Sequence, residues 1–232
     1  MKFIGIDLAW TYKNETGLCV INEDKQIEVL VAKAFSDEEL ISFVNEYTDV
    51  IVSIDSPLVV KNETGGRAVD SMLMKEVIRG RYLKLYATSR SYMLKTFGQI
   101  RGEDIYQALS KESRLVLGEN IIETFPTGIF LSLFPEIFDK RYKISSKLSL
   151  EDLKANAILL ISKVEKLGFT GISIDLEGVD TKKAYKSFED QLDGLLCSIN
   201  SYYFYHNQSS IFKCDDNGIT ALPDHHKIFT DN

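Results

Sequence analysis

The chain is poor in cysteine and histidine, with three of each among 232 residues. The cysteines are widely spaced and odd in number, which argues against a disulfide framework. No CxxC or HxxxH spacing indicates a structural zinc site. We therefore expect a reduced, cytoplasmic setting for this protein.

Long apolar runs and an excess of basic charge are also missing. No apolar run reaches the roughly 18 residues that a membrane span needs, and segment 1–10 is not typical of a signal peptide. No membrane partner is expected. The 27 basic and 34 acidic residues give a formal net charge of −7. Any nucleic-acid partner must therefore be bound by a local patch or through metal ions.

What the chain does contain is a series of short apolar strands separated by helical patterns. The segments that predict strands are 2–9, 17–22, 26–34, 49–55 and 119–125. Three strands, a helix and a further strand predict a mixed sheet in an α/β or α+β domain. We expect the α/β class, with a mixed five-stranded sheet flanked by helices. We expect a single domain over 1–232. A helical insertion at about 57–118 separates strands four and five, and a hairpin at about 209–223 follows the last helix.

Acidic side chains occur in or at the ends of three predicted strands. Asp7 lies in the first strand, Asp55 ends the fourth, and Glu123 lies near the end of the fifth. Because the carboxyl ends of neighbouring parallel strands meet at one edge, we expect these acids to converge. Asp190 and Asp193 are three residues apart on the last long helix, so they are neighbours on its surface.

Clustered carboxylates repel one another, and a divalent cation relieves the repulsion. Oxygen ligands suit Mg²⁺ or Mn²⁺, and such ions can activate water for phosphodiester cleavage. We expect a cation site made by Asp7, Asp55, Glu123, Asp190 and Asp193. Simpler roles stay open for three of them: Asp55 capping a turn, Glu123 in a salt bridge with a local lysine, and Asp190 as a solvated helix residue.

Several sequence blocks around these acids follow one another in a recognisable order. They are GIDLAW (5–10), IDSPL (54–58), GGRAVD (65–70), ETFPTGIF (123–130), EDQLDGLLCS (189–198) and DDNGITALP (215–223). The series resembles the family called domain of unknown function 429, a group of predicted nucleases with a ribonuclease H-like fold. The order of the acids is also similar to that of RuvC-type resolvases.

The resemblance implies a ribonuclease H-like sheet and a metal-dependent nuclease. Asp7, Asp55 and Asp193 would be the core metal ligands, and Glu123 and Asp190 would complete the site. The catalytic residues implied are Asp7, Asp55, Glu123 and Asp193.

A second motif in the resemblance is the block that contains Arg67 and Asp70. These two residues would reach a substrate phosphate or pair within the site. At Glu189 the chain departs from the family, which often has histidine there. No general acid or base is therefore carried over to that position.

The stretch 81–101 is both basic and aromatic. Contact with a nucleic-acid backbone and bases is one interpretation. We favour the other, in which Tyr82, Tyr86 and Phe97 pack the insertion.

These observations favour a divalent-metal-dependent nuclease or phosphodiesterase that acts on nucleic acid. A non-catalytic interaction module with the same fold is the alternative, and the net charge of −7 favours it modestly. An ATP-using enzyme of the actin or sugar-kinase type is less favoured, because the chain has room for one such module and has no GxxxxGK[ST] pattern. The oligomeric state and the choice between DNA and RNA are not predicted.

Overall fold

The computed structural model describes residues 1–112, 115–214 and 218–229. Its strands are β1 (Lys2–Asp7), β2 (Glu15–Asn22), β3 (Ile27–Ala34), β4 (Val50–Ile54), β5 (Val77–Ile78), β6 (Arg81–Tyr82), β7 (Ile121–Glu123), β8 (Ser209–Lys213) and β9 (Ile219–Pro223). Its α-helices are α1 (Asp37–Asn45), α2 (Ala68–Lys75), α3 (Arg90–Phe97), α4 (Arg101–Glu112), α5 (Pro126–Leu133), α6 (Leu150–Lys166), α7 (Lys182–Tyr205) and α8 (His225–Ile228). A 3-10 turn covers Pro135–Ile137.

Within the described residues, seven strands form one mixed sheet in the order β3-β2-β1-β4-β7-β9-β8. The strands β1, β4, β7 and β9 are parallel to one another, and β2 runs antiparallel to β1 and β3. In β1, the residues from Phe3 to Ile6 are all buried. Burial of consecutive residues is typical of a central strand covered on both faces. The predicted α/β class with a mixed sheet is confirmed.

The sheet has seven strands in the described residues, not the five predicted. The expected C-terminal hairpin forms as β8 and β9, but it joins the main sheet through the pairing of Glu123 with Thr220. The reason is burial. The three residues of β7 are buried, so an uncovered outer edge would leave backbone groups without partners. Strand β9, whose five residues are all buried, covers that edge. The turn residues 215–217 lie outside the described ranges.

Helices cover both faces of the sheet and divide the core into two layers. On one face, α1 and α4 pack against side chains of β1, β2 and β4; the core there includes Ile4, Ile6, Leu18, Leu40, Val44, Val52, Ile105 and Leu109. On the other face lie α5, α6 and α7, with Phe3, Cys19, Phe130, Leu160, Leu192 and Leu196 in the core. Within the described ranges, no helix combines the length and apolarity needed to cross a membrane.

Helix α7 approaches the sheet more closely than ordinary side chains allow. A Cβ atom at Gly5 would collide with the backbone of Ser198, and one at Gly17 would collide with the backbone of Asp190. Gly194 faces the backbone of Gly17 from the helix side. The Ser198 hydroxyl donates a hydrogen bond to the Phe3 carbonyl at 2.6 Å. Glycine at these positions therefore sets where the acidic end of α7 lies against β1 and β2.

The segment between β4 and β7 is the predicted insertion, and it contains α2, α3, α4 and the β5–β6 hairpin. The packing expected for its aromatic residues is wrong for two of them: Tyr82 is 66% exposed and Tyr86 is 86% exposed. Phe97 does pack, since its ring stacks on Trp10 with centroids 5.1 Å apart. The insertion thus carries tyrosine rings that its own core does not use.

Candidate active site

Two of the predicted acids lie side by side where β1 and β4 end. Asp7 is the last residue of β1, and Asp55 comes directly after β4. The strands are parallel neighbours, and the Asp55 amide donates a 2.8 Å hydrogen bond to the Ile6 carbonyl. The two carboxyl groups are close enough for each to shift the pKa of the other.

Helix α7 brings a third acid, Asp193, to the same place. Its side chain is 3% exposed. One oxygen accepts a 2.5 Å hydrogen bond from the Tyr142 hydroxyl, and the other lies 2.7 Å from the Nζ atom of Lys143. Tyr142 and Lys143 come from the segment between the 3-10 turn and α6. The chain therefore supplies an ammonium group to the acids.

Burial and repulsion decide the protonation of these acids. Burial raises the pKa of Asp7 well above its usual range, and the charges of Asp193 and Asp55 raise it further. Burial raises the pKa of Asp55 to about 7, although Lys143 lowers it. Burial lowers the pKa of Lys143, but the three aspartates outweigh this and leave it above its usual range. The site therefore favours added positive charge.

Asp190 lies one helical turn before Asp193 and has its own cation. The Lys186 Nζ atom lies 2.5 Å from Asp190 and 2.9 Å from Glu189. Burial raises the pKa of Asp190 to about 6, while Lys186 lowers it. Glu189 also accepts a 2.6 Å hydrogen bond from the Ile144 amide. Lys186 is half exposed, so this pair lies at the solvent-facing rim of the site.

We name Asp7, Asp55, Asp190 and Asp193 the acid cluster. Asp7, Asp55 and Asp190 open into a cavity of about 630 Å³, the acid cleft. Other walls of this cleft are formed by Trp10, Pro57 and three lysines: Lys13, Lys183 and Lys186. Acids at the base and lysines around the opening form a polar cavity large enough for a ligand.

The fifth predicted ligand, Glu123, lies in a different network. The Arg67 guanidinium contacts Glu123 at 2.8–2.9 Å and Asp70 at 2.6–3.0 Å. All three side chains are at least 96% buried, with exposures of 4%, 2% and 3%. The Leu58 amide donates to Glu123 at 2.8 Å. Burial raises the pKa of Glu123 to about 7, against the lowering effect of Arg67. We call these residues the arginine network.

The arginine network forms the floor of a second cavity of about 230 Å³, the arginine cleft. Gly218 lies directly over the ion pair, because a Cβ atom there would come within 2.7 Å of Glu123 Oε1. Glu123 Oε2 lies 2.8 Å from Arg67 Nη1 but outside hydrogen-bonding geometry, and it has no hydrogen-bond partner among the described residues. Trp10, Asp55, Ser56 and Pro57 line both clefts.

The structure thus brings together four of the five acids expected to bind a cation, and it pairs Glu123 with an arginine instead. Arg67 and Asp70 pair within the site, which is one of the two roles expected for them. Tyr142 and Lys143 are missed by sequence reasoning, because 51 residues separate Tyr142 from its partner Asp193 and no motif marks either one.

The acid cluster offers carboxylate oxygens to a divalent cation. As the side chains stand, no three Asp, Glu, His or Cys residues in the described ranges are placed to coordinate one ion. The donor set nevertheless suits a divalent cation, because carboxylate oxygens are hard ligands. The raised pKa values of Asp7 and Asp55 would fall when positive charge is added. A cationic group, the Lys143 ammonium, already lies against Asp193. A divalent cation would replace that ammonium.

No family model matches the chain, and no curated protein or solved structure is significantly similar to it.

Proposed function

We propose that the protein is a divalent-cation-dependent hydrolase of phosphodiester bonds in nucleic acid, with a ribonuclease H-like fold. The observation that carries the proposal is the acid cluster, in which carboxylates from β1, β4 and α7 meet beside an open cleft. The strand order β3-β2-β1-β4-β7 supports the fold assignment, because it is a mixed five-strand arrangement of the kind that the sequence resemblance implies.

In this proposal Asp7, Asp55 and Asp193 hold Mg²⁺ or Mn²⁺, and Asp190 completes the site at its rim. The bound ions supply an activated water and stabilise charge on the leaving oxygen. The raised pKa values of Asp7 and Asp55 support this role, since added positive charge favours the ionised form of both side chains.

Residues around the cluster would hold the substrate. Lys13, Lys183 and Lys186 line the acid cleft and would contact phosphate oxygens. Glu123 would have to release Arg67 to reach an ion. We therefore assign it, with Arg67 and Asp70, to the substrate-facing wall formed by the arginine cleft.

The test is calorimetric titration of Mn²⁺ into the metal-free protein and into Asp7→Asn. Asp24→Asn, a change at an exposed acid in the β2–β3 turn, is the matched control. Binding that is lost in Asp7→Asn and kept in Asp24→Asn, together with Mn²⁺-dependent cleavage that follows the same pattern, supports the proposal. Equal weak binding in all three proteins contradicts it.

One observation favours a second candidate, the non-catalytic interaction module. Lys143 lies 2.7 Å from Asp193 and partly neutralises the cluster without any ion. A module that uses its fold only for binding would keep this ion pair when Mn²⁺ is added. Lack of any change in folding stability with Mn²⁺ would favour this candidate.

A further inference from the structure

The two clefts of this protein are parts of one continuous surface. Trp10 and the Asp55–Pro57 turn line both of them, so the acid cleft and the arginine cleft are separated by a single wall. A strand whose phosphate lies at the acid cluster would pass over the mouth of the arginine cleft. The smaller cleft is therefore placed to receive a group attached to the neighbouring backbone.

We propose that the arginine cleft binds an unpaired base of a single-stranded nucleic acid whose backbone crosses the acid cleft. This inference rests on the proposed function and adds to it the class of substrate. The volume of about 230 Å³ supports it. It lies below the roughly 300–1,000 Å³ of cavities that hold drug-sized ligands, and it suits a single heterocyclic ring system.

Aromatic side chains at the rim provide stacking faces. Tyr86 is 86% exposed and Trp10 is 38% exposed, and both line the arginine cleft. Trp10 is held in place by Phe97, whose ring is stacked against it at an angle of 16°. Stacking of bases on aromatic rings is the usual way in which proteins hold single strands without reading every base. Base stacking therefore gives these exposed rings a role that packing inside the insertion does not give them.

The floor of the cleft is polar and nearly complete in its hydrogen bonds. Arg67 and Asp70 satisfy each other, whereas Glu123 Oε2 is left without a hydrogen bond in the described residues. That oxygen is buried and lies 2.8 Å from Arg67 Nη1, so the floor is polar but closed, and a base would be held mainly by stacking at the rim. In a duplex the bases are paired and stacked, so only an unpaired base can enter the cleft.

Lysines line both clefts beside their acids, although the chain as a whole is acidic. The whole chain has a net charge of −7. Lys84 nevertheless stands at the arginine cleft, and Lys13, Lys183 and Lys186 stand at the acid cleft. Cations at these two clefts can contact a phosphate backbone even on an acidic protein, and the binding should weaken with salt.

The protein carries its own reporter, because Trp10 is its single tryptophan. The experiment follows tryptophan fluorescence while a short single-stranded oligonucleotide is added in the absence of divalent ions, so that no cleavage occurs. An abasic strand of the same length, a duplex and a mononucleotide are the parallel probes. We expect quenching by the single strand and about tenfold weaker binding of the abasic strand and of the duplex.

Tyr86→Ala is expected to weaken binding of the single strand about tenfold and to leave the abasic strand unchanged. Tyr82→Ala is the matched control, since Tyr82 is 66% exposed but lines neither cleft. Equal affinity for the normal and abasic strands, or no effect of Tyr86→Ala, overturns the inference. A mononucleotide that binds as tightly as the strand overturns the assignment to a polymer.

These results separate the two proposals. Base-dependent binding without Mn²⁺ affinity or cleavage would overturn the hydrolase and leave the base site standing. Equal affinity for abasic and normal strands, together with Mn²⁺-dependent cleavage of both, would overturn the base site alone.

Discussion

The acid cluster and the arginine network lie on opposite sides of the same turn, and they handle buried carboxylates in different ways. In the arginine network, one guanidinium contacts both carboxylates and all three side chains are almost fully buried. In the acid cluster, three aspartates share a single half-buried lysine, and Asp190 has another at the rim. The first arrangement has one guanidinium for two carboxylates, whereas the second has one ammonium for three and so a larger excess of negative charge.

The difference shows what separates a structural charge network from a site that takes up an external cation. Carboxylates held by a buried guanidinium are engaged within the chain and have little affinity left for an ion. Burial raises the pKa on both sides, to about 7 for Glu123 and for Asp55. Arg67 opposes the rise at Glu123, whereas the neighbouring aspartates add to it at Asp7. The acid cluster therefore gains more from added positive charge. The comparison can be tested by changing the charge balance on each side.

The largest effect is expected from breaking the arginine network. Arg67→Met leaves Asp70 and Glu123 buried without a cation, so we expect the free energy of unfolding to fall by about 3–5 kcal/mol. Denaturant unfolding monitored by circular dichroism measures it. A loss well under that range would mean that the network contributes little to stability, and the contrast with the acid cluster would fail.

Asp55→Asn is expected to raise the free energy of unfolding of the metal-free protein. Folding raises the pKa of Asp55 to about 7. Its stabilising contribution is therefore complete below the unfolded pKa of roughly 4 and is lost as the pH rises through 7. Asparagine cannot ionise, so the variant should exceed the wild type by on the order of 2 kcal/mol near pH 8 and by little near pH 4. Asp24→Asn, as control, should show no such dependence.

A smaller effect is expected from Lys143→Met, which removes the cation from the acid cluster. Because Lys143 is 33% exposed, we expect a loss of only about 1 kcal/mol near neutral pH. Mn²⁺ should raise the melting temperature of this variant more than that of the wild type, since the ion no longer competes with the ammonium group. An equal rise in melting temperature in both proteins would show that Mn²⁺ and the Lys143 ammonium group do not compete for the same position.

The smallest loss of folding stability is expected from breaking an ion pair at the surface. Arg81 makes a two-bond contact with Asp139 at 2.6 and 2.9 Å, which is the chemistry of the Arg67–Asp70 pair in an exposed position. Arg81→Met should leave the free energy of unfolding almost unchanged, because water screens the pair. It is the matched control for Arg67→Met, and a similar loss in the two variants would show that burial does not cause the difference.

Sequence reasoning located the acid cluster because its residues are tied to regular elements. Asp7 and Asp55 follow apolar strands, and the spacing of Asp190 and Asp193 on a helix fixes their common side. Glu123 occupies a similar strand end, yet its partner Arg67 lies 56 residues away in the insertion, and no pattern in the sequence reports that distance. The partner of a buried charge is a tertiary property.

The same limit applies to the width of the sheet and to the aromatic residues. The hairpin at 209–223 was predicted from its strand pattern, but its attachment to β7 depends on an edge that only the folded sheet exposes. Tyr82 and Tyr86 are aromatic, and aromatic side chains are often found in protein cores. Their exposure follows from how the insertion folds, which apolarity alone does not determine.

The close seating of α7 on Gly5 and Gly17 also has a consequence for motion. The Asp190 and Asp193 side of the acid cleft is joined to the central strands through backbone contacts, so its amides should exchange with solvent only on global unfolding. The opposite wall, where Lys13 and Asn14 belong to the exposed loop between β1 and β2, can open locally and far more often. Hydrogen exchange should therefore find one slow and one fast wall in the same cleft, with entry and exit controlled from the fast one.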